Sequence, residues 1–128
     1  MLIRFITEHT DPDSGRRQGL FHAVGTLRDS GRVLAHDHAR LWAITDWFGE
    51  HLRVPARFSL SSAPHRKAQA ICWFRDGARR HIAKMWESEA ILRDYGVNVL
   101  VIRTRRPGYV VYEDEHQVAA YPFADTRA

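Results

Sequence analysis

Apolar runs separated by short polar breaks divide the chain into strand-length and helix-length pieces. Residues 2–7 place Leu2, Ile3, Phe5 and Ile6 around one arginine and predict a first strand by β propensity. The polar run at residues 8–15 forces a loop, and Ser14 is a candidate N-cap for the segment after it. Leu20, Phe21, Val24 and Leu27 recur at helical spacing until Ser30-Gly31 ends them, with Gly25 a weak point inside. A second helix is predicted from Asp37 to about Leu52, because Leu41, Trp42, Ile44, Thr45, Phe48 and Leu52 form a wide apolar stripe. Asp37 is its candidate cap and Pro55 closes the region.

Residues 57–61 read as a short strand and residues 62–67 as a polar, turn-rich loop. Residues 70–74 are apolar on both faces, the pattern of an internal strand covered from two sides. A third helix follows, with Asp76 as cap, a packing face of Ala78, Ile82, Met85, Trp86, Ala90 and Leu92, and Gly96 as its stop. Residues 97–102 carry the strongest strand signal, so a strand, helix, strand unit results, with a right-handed crossover if the two strands are parallel. Residues 109–123 predict a C-terminal hairpin, set off by Pro107-Gly108 and reversed by Glu113-Asp114-Glu115-His116.

These pieces define an α+β fold: a small mixed β-sheet packed by about three helices, with a central β-α-β unit and a C-terminal β-hairpin. One domain covers residues 1–128, and a chain of this size buries roughly two thirds of its unfolded surface without a metal or disulfide. Both hairpin arms are apolar on two faces. The second face needs a helix, a long loop or a partner subunit, which leads to an expected homodimer.

Composition narrows the picture only slightly. The 45% apolar and 27% charged content excludes an extended disordered chain. A lone cysteine, Cys72, excludes an internal disulfide framework and, between Ile71 and Trp73, reads as a small buried hydrophobe. No apolar run is long enough for a bilayer, and the start of the chain has no secretory pattern, so a cytoplasmic, non-membrane protein is expected. The +4 net charge is too small to imply nucleic acid by itself.

The candidate chemistry competes with simpler structural roles. His9, Asp11 and Asp13 after the first strand would bind a divalent cation if Glu113, Asp114 or His116 at the hairpin tip joined them, although a solvated turn explains the same residues. His36-Asp37-His38 lacks a metal spacing and suits capping. His22 and His81 lie one position off packing stripes and read as helix-flank groups. Ser59, Ser61 and Ser62 lack a nucleophile elbow, although His65 is near in sequence. No glycine-rich phosphate loop or cofactor motif is present, and no cofactor is expected. Arg79, Arg103, Arg105 and Arg106 would form an anion-binding face if they converged, with Tyr109 or Tyr112 adding stacking. Trp42, Trp73 and Trp86 fit the core, whereas Trp47, with Tyr112 and Tyr121, fits an interface.

The leading expectation is therefore a small intracellular homodimeric interaction or ligand-binding protein that uses the hairpin and adjacent basic positions. A metal-assisted phosphodiester hydrolase is the enzymatic alternative, and a non-catalytic nucleic-acid binder with an arginine-rich face is the third reading.

Overall fold

The computed structural model describes residues 1–12, 14–54 and 70–128. Its sheet is organised on β1 (Leu2–Thr10), which extends past the predicted strand into the polar residues. Leu2 and Ile3 pair with both β3 (Ile71–Arg75) and β4 (Val99–Thr104), while Ile6 pairs with both β4 and β2 (Arg17–Gly19). A strand residue has one neighbour on each edge. Therefore β4 fills one edge of β1, and β2 and β3 divide the other. Next to β3 comes β6 (Gln117–Tyr121), and then β5 (Tyr109–Glu113), with every described ladder antiparallel. β3 and β4 run the same way on opposite sides of β1 and are joined by α3 (Arg79–Asp94), so the β-α-β unit straddles the first strand.

The three helices, α1 (Leu20–Arg28), α2 (Ala35–His51) and α3, pack on the sheet face that carries Ile3, Phe5 and Phe74. Leu20, Val24, Leu27, Leu41, Ile44, Phe48, Met85 and Leu92 complete this core, so the expected α+β architecture with three helices and a terminal hairpin is what the chain adopts. Helix starts differ from expectation. Ser14 supports the turn before β2 rather than capping a helix, because its Oγ accepts from the Arg16 amide. Asp37 lies inside the first turn of α2 and accepts from the Tyr95 hydroxyl at 2.7 Å. Asp76 sits 3.6 Å from the N-terminal ammonium, and Ala78 precedes α3 without a side-chain cap.

The predicted α3 stripe is also rotated. His81, Met85, Ser88, Ile91 and Leu92 are its buried residues, and Ser88 is tolerated because its hydroxyl donates to Lys84 O at 2.9 Å. Trp86, expected in the core, is 46% exposed and meets Phe5 edge to face. Trp42, likewise expected inside, is 41% exposed and stacks under the Arg28 guanidinium at 3.9 Å. Pro55, the strand at residues 57–61 and the loop at 62–67 lie outside the described residues.

The middle of the sheet face away from the helices is also buried. Trp73 opposes Val118 and Ile71 opposes Ala120, and all four are buried together with Ile6. The connection from β4 to β5 supplies a reason. Residues 104 and 109 belong to opposite edges of the strand order, a lateral separation of about 19 Å in a flat sheet. Five extended residue steps reach at most about 18 Å, and the two residues also sit at opposite ends of their strands. The sheet must therefore coil, drawing β4 and β5 toward each other across this second face, a bend assisted by the irregular pairing between Val110 and Tyr112. Pro107 in the connection is buried. The tail joins the same assembly: Arg16 donates to Thr126 O at 2.9 Å and to Phe123 O at 3.1 Å. One chain thus covers the middle of both sheet faces, while Leu100 and Val110 on the outer strands of the second face stay exposed.

No helix among the described residues is long and apolar enough to cross a membrane.

Candidate functional site

The pairing of β1 with β3 stops after Ile3 and Phe74. Continued by one step, that register would set Arg4 opposite Trp73; instead the strands part, and β2 takes over the edge of β1 farther along. A cavity of about 240 Å³ occupies the split. Leu20, Phe21, Ile71, Phe74 and Met85 supply apolar wall, while Arg4, Asp11, Cys72, Trp73 and Gln117 bring polar groups.

Arg4 is the decisive residue. Arg4 is 7% exposed, and its Nη2 donates to Arg17 O at 2.6 Å, yet Nη1 is buried with no hydrogen-bond partner among the described residues. Trp73, 1% exposed, has its Nε1 in the same condition. Buried donors are nearly always satisfied, because leaving one unmade costs about 1–3 kcal/mol. Burial pushes the Arg4 pKa down to about 10; Cys72 and Asp11 act in the opposite direction, and Arg16 adds to the lowering. The guanidinium consequently keeps its charge at neutral pH. The site is a mostly apolar chamber with a buried cation, Arg4, among its lining residues.

Cys72 does not have the buried position expected from its neighbours. It is exposed where it borders the split, because the strand on which it lies has lost its β1 partner there. Burial nonetheless pushes the thiol pKa up, outweighing the pull of Arg4, so the sulfur stays protonated and is a weak nucleophile.

A second, polar cleft lies at the other side of Gln117, where the hairpin turn meets the helix ends. Residues 49–53 and 114–116 enclose about 390 Å³, and an adjoining space of about 230 Å³ reaches the start of α3; both are lined by His51 and His116. The ring of His81 lies 4.3 Å from that of His116, and its Nε2–H donates to His51 O at 2.8 Å. His51 in turn stacks on Trp47 at 4.3 Å and donates from Nδ1 to Trp47 O. His81 is thus a buried junction residue, not a helix-flank group. Burial lowers its pKa; the bond to His51 opposes this, and His116, His51 and Arg80 reinforce it. Trp47, assigned above to an interface, is half-buried in this junction.

The remaining expected site residues divide among several places. Arg79 lines the histidine cleft. Arg103 lies opposite Ile3 on β4, and Arg105 begins the connection to β5. Arg106 lies over Phe123 at 5.2 Å, and Tyr109 meets the same ring edge-on. Tyr112 donates to Asp114 at 2.8 Å, and Tyr121 is buried beside Val111 and Ala119.

The two acidic segments do not meet. β1 leads away from the Leu2 end toward His9 and Asp11, whereas the turn at residues 114–116 adjoins Gln117, which pairs Phe74 next to Ile3. His9 borders Gly96 and Val97, while Asp11 lines the split. At the hairpin, Glu113 pairs with Arg75 at 2.9 Å, and Asp114 accepts from the His116 and Gln117 amides. His116 lies 3.1 Å from Glu115. Asp13 is outside the described residues, and among those described no group of three His, Cys, Asp or Glu side chains is disposed to hold a metal.

Comparison with protein-family models, curated proteins and solved structures finds no match for this chain.

Proposed function

We propose that this domain is a small-molecule-binding protein whose site is the split between β1 and β3. The observation that supports this most directly is a cavity of about 240 Å³, mostly apolar and bordered by the buried Arg4, at the place where β1 and β3 part. Concave, mostly apolar chambers with a few convergent polar groups are the usual form of ligand sites. A guanidinium held inside the protein is costly to desolvate, and an anion in the cavity would offset part of that cost.

Cys72 makes the proposal testable, since it is the sole cysteine and borders the cavity. Saturable protection of Cys72 from N-ethylmaleimide by benzyl alcohol or benzoate is expected. Alkylation at the same rate with either compound at any concentration would defeat the reading.

A homodimer is a second proposal, supported by Leu100, Tyr109 and Val110, large apolar residues left exposed on β4 and β5. Sedimentation at several concentrations should then show self-association; a concentration-independent monomer would contradict it. The hydrolase reading gains no comparable support, because the acidic segments are apart and no metal-holding group is present among the described residues.

A further inference from the structure

We propose that the histidine cleft is a second binding site, independent of the split, and that its ligand is a tetrahedral oxyanion. The anion, free or as the terminal phosphate of a small ester, occupies the space of about 230 Å³ beside the start of α3. Arg79, Arg80, His51, His81 and His116 supply every polar side chain in the lining of that space, and no aspartate or glutamate is among them. Arg79 and Arg80 are exposed and enter no ion pair among the described residues. Arg80 lies over Trp47 at 5.5 Å, and His51 stacks on the same indole, so one support positions both groups. Two guanidinium groups offer more N–H donors than one planar carboxylate takes up, whereas phosphate and sulfate present oxygens in several directions.

The larger adjoining space carries the opposite bias, with Glu50, Asp114 and Glu115 set against Arg53. An anion is therefore drawn to the arginine side, and His51 and His116, which line both spaces, stand at the boundary. His51 donates from Nδ1 to Trp47 O, so its Nε2 is an acceptor in the neutral ring and a donor once protonated. His116 holds Nε2 at 3.1 Å from Glu115. The charged and titratable groups around these two rings, among the described residues, come from four elements. They are Glu50 of α2 with Arg53 beyond it, Glu113, Asp114 and Glu115 of the hairpin, Arg75 of β3, and Arg79, Arg80, His81 and Lys84 of α3. An anion placed among the cations favours protonation of the rings, and by linkage it binds more tightly as the pH falls.

The test titrates the full chain with sodium sulfate, whose charge is constant from pH 6 to 8, at an ionic strength held fixed with sodium chloride. Ring C–H signals of the histidines are followed by NMR. Those of His51 and His116 should shift and saturate at pH 6 while those of His22, His36 and His38 stay nearly fixed, and the dissociation constant should rise several-fold by pH 8. Arg79→Gln combined with Arg80→Gln should weaken sulfate by about tenfold or more at pH 6, as loss of a charged hydrogen bond implies. Arg79→Lys with Arg80→Lys should retain most of the binding. His116→Gln should flatten the pH dependence; should that variant fail to fold, the arginine variants, which alter exposed side chains, still decide the question. Methyl phosphate that displaces sulfate identifies an ester terminus as the ligand, and sulfate that is not displaced identifies the free anion; either result upholds the oxyanion.

Histidine signals that move together without saturation, an affinity that is the same at pH 6 and pH 8, or sulfate binding that survives both arginine-to-glutamine changes overturns the site. Acetate that matches sulfate at equal ionic strength overturns the assignment to a multiply charged, tetrahedral anion. None of these results depends on Cys72 or on the split, so this site and the ligand site between β1 and β3 stand or fail separately.

Discussion

Arg4 on β1 and Trp73 on β3 stand at the first position where the two strands part, and each keeps a buried N–H without a partner among the described residues. The ladder is interrupted, and the exposed strand edges become cavity wall. A small domain tolerates such an arrangement because the other edge of β1 remains fully paired with β4 across residues 2–7.

The Arg4 site should cost the unliganded protein stability. Arg4→Met removes a buried charge and an unmade hydrogen bond worth about 1–3 kcal/mol, against loss of one bond to Arg17 O worth about 1 kcal/mol. Urea unfolding should place the variant at or above wild type. A loss greater than about 2 kcal/mol would show that Arg4 is principally structural.

Gly108 limits the β4 to β5 connection. Its φ is 127°, and a Cβ there would collide with the backbone of Tyr121 and Pro122, which has no soft side chain to give way. Gly108→Ala should destabilise by about 2–4 kcal/mol, at the upper end of single substitutions. Gly49→Ala, in α2 with open space around it, is the control and should be neutral or mildly stabilising in the same urea series.

The hairpin acids separate into one structural residue and one exposed one. Burial raises the Asp114 pKa, but hydrogen bonds from the His116 amide, Tyr112 and Gln117 outweigh it and hold the carboxyl below its ordinary 3.8. Asp114→Ala should cost about 1–3 kcal/mol by leaving these donors unmet, whereas Glu115→Gln should change stability by less than about 0.5 kcal/mol. Equal effects in thermal unfolding would contradict this division.

His81 gives the fold an acid limit. Its folded pKa lies below the ordinary 6.5, so between those two values the unfolded chain binds more protons than the folded one. Stability from this residue is full above pH 6.5 and falls as the pH drops toward the folded pKa. Asp114 acts only in a lower window, below about 3.8. Urea midpoints measured from pH 7.5 to 5 should decline, and His81→Gln should flatten that slope. An unchanged slope in the variant would assign the decline elsewhere.

The sequence exposed the architecture more readily than the site. The stripe of Leu41, Ile44 and Phe48 and the apolar run at residues 97–102 depend on local periodicity, so the helices and most strands could be read directly. β2 could not, because Arg17-Gln18-Gly19 has no apolar pattern and pairs only through β1. Arg4 alternates with apolar neighbours in a way that suggests a solvated face, whereas the coiled sheet buries that face. The split itself is a nonlocal event between residues about seventy positions apart in the chain. His81 was legible only after the α3 stripe proved to be rotated toward α2 and the hairpin.

The indole N–H resonance of Trp73 measures the central claim most directly. In a ¹H–¹⁵N spectrum titrated with benzoate, that signal should shift and saturate, because Trp73 lines the cavity, while the indole signals of Trp42, Trp47 and Trp86 stay nearly fixed. A Trp73 signal that remains in place, or four indoles that move together without saturation, would contradict a ligand site in the split between β1 and β3.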